Sequence, residues 1–182
     1  MNGQWSYNSN WTGVQASTCT ASGDYSTAMG DGTTASGDYS TSMGRSTAAS
    51  ALYSTAMGRS TAASALYSTA MGYGTDASGY FSTAMGSSTT ASALYSTAMG
   101  DGTIASGSRS TAMGSYTTAS DYASLSIGRY NSVNSTVTAG GSAASFDTDN
   151  AAFVIGNGTG SSTKSDAFVV YFNGNATLSG DL

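Results

Sequence analysis

Ser26-Thr27-Ala28-Met29-Gly30 returns along this chain every 14 residues with almost no drift. Met29, Met43, Met57, Met71, Met85, Met99 and Met113 stand in register, and Ile127 takes the next place. Each is followed by glycine, from Gly30 to Gly128. A fixed short period means one structural unit stacked on copies of itself. Between Ala21 and Gly128 the unit reads A-S-x-x-Y-S-T-A-M-G-x-x-T-x. Fourteen residues suffice for two short strands and two tight turns, and are too few for a strand plus a crossover helix.

Two strands per rung emerge from the side-chain alternation. In the first, Thr27 and Met29 share one face and Ala28 the other. In the second, Thr33 and Ala35 share a face, opposite Thr34 and Ser36. Small residues at Ala35, Ala49, Ala63, Ala77, Ala91, Ala105 and Ala119 would let this strand approach the methionines closely. The series Met29 to Met113 with Ile127 is therefore expected as the core ladder. Turns fall at Gly30-Asp31-Gly32 and Ser36-Gly37-Asp38-Tyr39, rich in residues that tolerate positive φ. Equivalent strands should pair in parallel at roughly 4.8 Å, giving a rod on the order of 34 Å from Met29 to Ile127. A two-sheet roll this narrow buries little, at about 25 cal/mol per Å². Burial of an outer face against other copies is expected to make up the shortfall.

Composition agrees with a solenoid. The 182 residues include no proline, no histidine, one cysteine and 12 tyrosines, and only 8% are charged. All ten acids are aspartates. Helical surfaces draw on Glu, Lys, Leu and Gln, so this mixture of Ser, Thr, Gly and Ala disfavours them. Disordered chains lack aromatics and regular apolar spacing, and this one has both. A net charge of -5 makes nucleic acid a poor partner. No apolar run reaches about 18 residues, so no helical membrane insertion is expected in this segment. Residues 1–20 lack the charged start and apolar centre of a signal peptide. Export by another route, or a place within a longer chain, would explain that.

The pattern S-T-A-M-G-x-x-T-x-A-S-G resembles the head repeat of trimeric autotransporter adhesins of the YadA type, usually S-V-A-I-G-x-x-A-x-A-x-G. The resemblance covers Ala21 to Gly128. It implies a left-handed parallel β-roll, three chains side by side, and a surface adhesin head; such repeats also occur in viral and phage fibre proteins. This chain departs by placing Thr27 and Met29 at the Val and Ile positions, and Ala51 or Ala65 at the last Gly.

Outside the repeat, residues 1–20 carry Trp5, Tyr7 and Trp11 and read as a capping or linker segment over the first rung. Residues 129–145 read as a transition broken by Ala139-Gly140-Gly141. Residues 146–182 read as a separate β segment, with strands at Ala152-Phe153-Val154-Ile155-Gly156 and Ala167–Phe172 and tight-turn pairs Asn157-Gly158 and Asn173-Gly174. The run from Phe153 to Ala176 resembles a segment of phage and viral tail-fibre proteins that commonly precedes a trimerising, self-cleaving chaperone domain. With no chaperone, heptad stalk or barrel pattern before Leu182, a fibre shaft or head is expected over a complete autotransporter.

Candidate ligand chemistry is sparse. Tyr25, Tyr39, Tyr53, Tyr67, Phe81 and Tyr95 occupy one repeat position, where rings could stack on sugars or pack on each other and on a neighbouring protomer, with Leu52, Leu66 and Leu94 beside them. Asp31, Arg45, Arg59 and Tyr73 share another position, expected as a solvated face with an Asp31–Arg45 pair and Arg59 over Tyr73. Asp147-Thr148-Asp149-Asn150 offers oxygen ligands but also reads as turn chemistry. Gly156–Ser161 lacks the lysine and helix of a phosphate loop. Asn10, Asn134, Asn157 and Asn175 open N-x-[ST] triplets, which arise easily by chance here.

Without histidine or glutamate, general bases reduce to scattered aspartates, and Cys19 and Lys164 have no evident activator. No catalytic residue, cofactor or metal is implied. The expected role is a homotrimeric, extracellular fibre or adhesin segment on a virion or cell surface, with a host-surface glycan or protein as partner. An ice-binding solenoid is the alternative, although it would want Thr-x-Thr outward on every rung, where this chain pairs Thr27 with Met29.

Overall fold

The computed structural model describes residues 5–7, as backbone, and 19–179. Each repeat forms a five-residue strand such as Thr27–Asp31 and a two-residue strand such as Thr34–Ala35. Both are placed where the alternation puts them. Equivalent strands pair in parallel one period apart: Met29 lies opposite Met43, Met43 opposite Met57, and Ala35 opposite Ala49. Among the described residues the eight long repeat strands lie in one sheet of twelve, and the short strands form a second of eight. The two sheets close a flattened coil, and no helix interrupts it among the described residues.

The core is not the one expected. Ala28, Ala56, Ala70, Ala84, Ala98 and Ala112 point inward from the long strands and are fully buried, as are Ala35 to Ala119 from the short ones. Methionine lies on the opposite face. Met29 is 40% exposed and Met113 37%, and the methionines between them are half-buried. The expectation of a methionine core ladder is thus corrected. Alternation assigns Thr27 and Met29 to one side together, and two sheets this close leave room inside for methyl and hydroxyl groups alone.

Threonine completes the interior. Thr33, Thr47, Thr61, Thr75, Thr89, Thr103 and Thr117 form a buried column at the start of each short strand. Thr47 shares a 2.7 Å hydrogen bond with Ser42, which stands at an alanine position. Thr61, Thr75, Thr89, Thr103 and Thr117 have hydroxyls without a partner among the described residues. Cys19 heads the column: its thiol donates to the Ala28 carbonyl at 2.9 Å and accepts from the Thr33 hydroxyl at 3.2 Å.

Glycine after methionine is required by stacking. Gly58 holds φ +122°, and a Cβ there would lie 2.1 Å from the carbonyl oxygen of Gly72 in the next rung. Only glycine combines that backbone with that approach.

At the ends the rod is extended rather than merely covered. Trp5–Tyr7 adds a parallel strand beside Thr27–Met29, out of the 14-residue frame. Trp11 lies outside the described residues. At the other end, Ala151–Asn157 pairs in parallel with Leu125–Arg129, so that Phe153, Ile155 and Gly156 sit opposite Leu125, Ile127 and Gly128. Ala151–Asn157, within the C-terminal β segment, is thus the next strand of the long sheet. Asp166–Tyr171 and Ala176–Leu178 follow antiparallel. Asn173-Gly174 makes the turn between them, with Gly174 at φ +88°. Asn157 instead ends a strand.

Candidate functional site

Two surfaces carry side chains singled out by the sequence, and the structure adds a third. The first is the aromatic column. Tyr25, Tyr39, Tyr53, Tyr67, Phe81 and Tyr95 all hold left-handed backbone, φ +56° to +58°, at the same turn. Successive rings stack with centroids 4.9 to 5.1 Å apart and planes within 4° to 19°. That spacing is the rung spacing, so the backbone pitch sets the stack. Arg109 occupies the next place and lays its guanidinium 5.5 Å from the Tyr95 centroid and 5.2 Å from that of Tyr122, while donating to the Tyr122 hydroxyl at 2.8 Å. Each ring from Tyr39 to Phe81 has a neighbour on both faces. What solvent meets is the edge.

The second surface is the charged column. Arg45 reaches Asp31 at 3.4 Å, and Arg59 lies 5.4 Å from the Tyr73 centroid. Arg45 and Arg59 are direct neighbours in the sheet, and they turn to opposite partners. The Asp31–Arg45 pair is solvent-exposed on both sides, so it contributes little. A second stack, Tyr116 on Tyr130 at 4.8 Å, stands in the neighbouring column with Arg129 over Tyr130.

The third surface is the junction beyond the last repeat, which sequence reasoning left as a transition. Buried polar side chains organise it. Asn131 takes the place after Thr117 in the inner column and bonds both the amide and the carbonyl of Thr118 at 2.8 Å. Asn134 follows Ser120 in the same way and accepts from the Ser120 and Asp121 amides at 2.7 and 2.6 Å. Together they close the open edge of the short sheet. Asp121 is fully buried and accepts from the Thr138 amide, the Thr138 hydroxyl and the Ala151 amide at 2.6 to 2.7 Å. Asp166 accepts from the Ser132 and Val133 amides at 2.9 and 2.7 Å. Asn131 and Asn134 keep the 14-residue spacing, and that spacing was the available signal for them.

Asp147 accepts from the Asp149 amide at 3.0 Å, which makes that stretch a turn. No cluster of three metal-ligating side chains occurs among the described residues. The Gly156–Ser161 loop folds back through a Thr159–Thr163 pairing. No helix of the described residues is long and apolar enough to cross a membrane.

These features define a parallel β-solenoid whose rung is a two-strand, 14-residue coil. The YadA head domain repeat, in a model of two copies, matches residues 21–47, 49–75, 77–103 and 105–131. Those spans cover more than half of the chain, and the chain belongs to that family. It has the structural, adhesin-type role of such repeats. The comparison with curated proteins returns no significant match.

Proposed function

We propose that this chain is a segment of a homotrimeric attachment fibre, displayed on a virion or cell surface, in which the solenoid is a non-catalytic rod that presents recognition surfaces. The outward methionine lane carries this reading. Seven methionines and Ile127 form a continuous, partly exposed apolar strip on the long sheet, above an interior of little more than alanine methyls. Such an interior stabilises one chain weakly, and burying the strip against other copies supplies apolar area that the coil lacks. The likeness of Phe153–Ala176 to tail-fibre segments favours a fibre context. Ice binding is disfavoured, because the outward face of the long sheet presents Thr-x-Met on nearly every rung.

Sedimentation equilibrium tests the reading. The expected mass is about three times the 18.1 kDa of one chain. A well-folded monomer at micromolar concentration would overturn it.

A further inference from the structure

We infer that the junction beyond the last repeat holds a binding site for neutral glycans. An open surface depression of about 630 Å³ lies there, lined by half-buried Thr138 and Tyr171 and by exposed Asp149, Asn173, Asn175 and Thr177, with small alanines between. A second hollow of about 310 Å³ shares Thr138 and Tyr171 with it, so Tyr171 stands between the two. Volumes of this range suit small ligands.

The lining chemistry selects the ligand class. A sugar hydroxyl donates one hydrogen bond and accepts others. The Asp149 carboxylate accepts, and the amides of Asn173 and Asn175 both donate and accept. Neither the Asp149 carboxylate nor the Asn175 side-chain amide makes a hydrogen bond or ion pair with another described residue, and Asn173 commits only its oxygen, to the Asn175 backbone amide at 2.9 Å. Tyr171 adds an aromatic ring, half-buried against Ala151, Val154 and Val169. The depression is lined by no lysine or arginine, and its one charge is the Asp149 carboxylate. Acidic sugars and phosphate are repelled by that charge and by the net charge of the chain.

The walls are set before a ligand arrives. Asp121 ties Thr138 to Ala151 through its three hydrogen bonds. The rim is tied down by Asn173 donating to the Thr148 carbonyl and Phe172 to the Asn150 carbonyl, while Tyr171 donates to Asn175 across the turn. A preorganised wall saves the ordering entropy that a loose loop would lose on binding. The aromatic column offers no such place, because its inner ring faces are already covered. This site lies outside the repeat, where chemistry can change without disturbing the stack.

The inference rests on the attachment reading and names its ligand. Saturation-transfer NMR and calorimetry on the full chain, with neutral tri- and tetrasaccharides of glucose, galactose, mannose and N-acetylglucosamine beside sialylated and sulfated ones, provide the test. At least one neutral oligosaccharide should bind. Asp149→Ala and Asn175→Ala should each weaken it about tenfold, the loss of one good hydrogen bond, with unchanged melting. Tyr53→Ala should leave it unaltered. Binding of charged sugars only, of none, or undiminished binding by both junction variants would overturn the site. Adherence of the full chain to immobilised cells is read in parallel. Adherence that survives without glycan binding sinks the site and leaves the attachment reading standing, as would capture through a protein receptor. Glycan binding without adherence does the reverse.

Discussion

The ring of Tyr53 lies flat against the ring of Tyr67, centroids 4.9 Å apart and planes 4° apart, although both residues hold left-handed backbone. Left-handed backbone costs a non-glycine residue about 1–2 kcal/mol. Stacked aromatic pairs return about 0.5–1.5 kcal/mol each beyond area burial, and an inner ring makes two such contacts. Tyr67→Ala keeps the strain and loses both contacts, and should destabilise by about 2 kcal/mol in thermal unfolding. Tyr67→Phe should be nearly neutral, since Phe81 already fills the next place in the stack.

Glycine substitutions separate crowding from backbone strain. Gly58→Ala would force a Cβ to 2.1 Å from the Gly72 carbonyl at φ +122°, and should destabilise by at least about 3 kcal/mol. Gly174→Ala meets nothing within 4 Å at φ +88° and should lose only about 1 kcal/mol. Comparable losses in the two melting curves would contradict the packing described for the rungs.

The buried threonine column makes an unusual forecast. Thr89→Val removes a hydroxyl without a partner while keeping shape, and should be neutral or stabilising by up to about 1 kcal/mol. Thr47→Val breaks the 2.7 Å bond to Ser42 and strands its hydroxyl, so it should destabilise by about 1 kcal/mol or more. Chemical denaturation of the two variants reads the difference in sign.

Asp121→Ala strips the acceptor from the Thr138 and Ala151 amides together. Each buried donor left alone costs about 1–3 kcal/mol. Hydrogen exchange should accelerate at Thr138 and Ala151 while Met57 and Met71 amides, several rungs away, keep their protection. A uniform loss along the rod would mean that the junction is not a local unit.

Met57→Lys with Met85→Lys places two charges on the outward lane without touching the interior alanines. The mass should fall towards that of one chain and the melting temperature should fall with it, because a single coil is weakly stabilised without the buried lane. An unchanged trimer would move the assembly surface elsewhere on the rod.

Much of the fold was legible because its signal is translational. A 14-residue period names the partner of every strand residue, so parallel pairing of Met29 with Met43 follows from counting. Which side faces in was less accessible. Alternation groups Thr27 with Met29 and leaves the choice of side to burial, and a large apolar Met attracts the inward assignment. The interior's width decides otherwise, and width emerges only when both sheets are in place. The continuation at Phe153–Gly156 was hidden by an intervening stretch, although Ile155 lies two full periods beyond Ile127. Asp149 and Asn175 each stood in a short motif of their own, but nothing local indicated that they share one hollow. Thr138, Asp149 and Asn175 lie apart in the chain and line one hollow only through the strands that turn back on the rod.

The rung's geometry has a mechanical consequence. Every rung adds about 4.8 Å to the length of the rod. It stores 14 residues, which span about 46–50 Å when pulled straight. Tension that detaches one rung at an end therefore lengthens the tether roughly tenfold more than the rung contributed, while the remaining rungs keep their register. A fibre made this way can yield stepwise under drag and stay attached. Pulling on single molecules should show evenly sized extensions, one for each coil released.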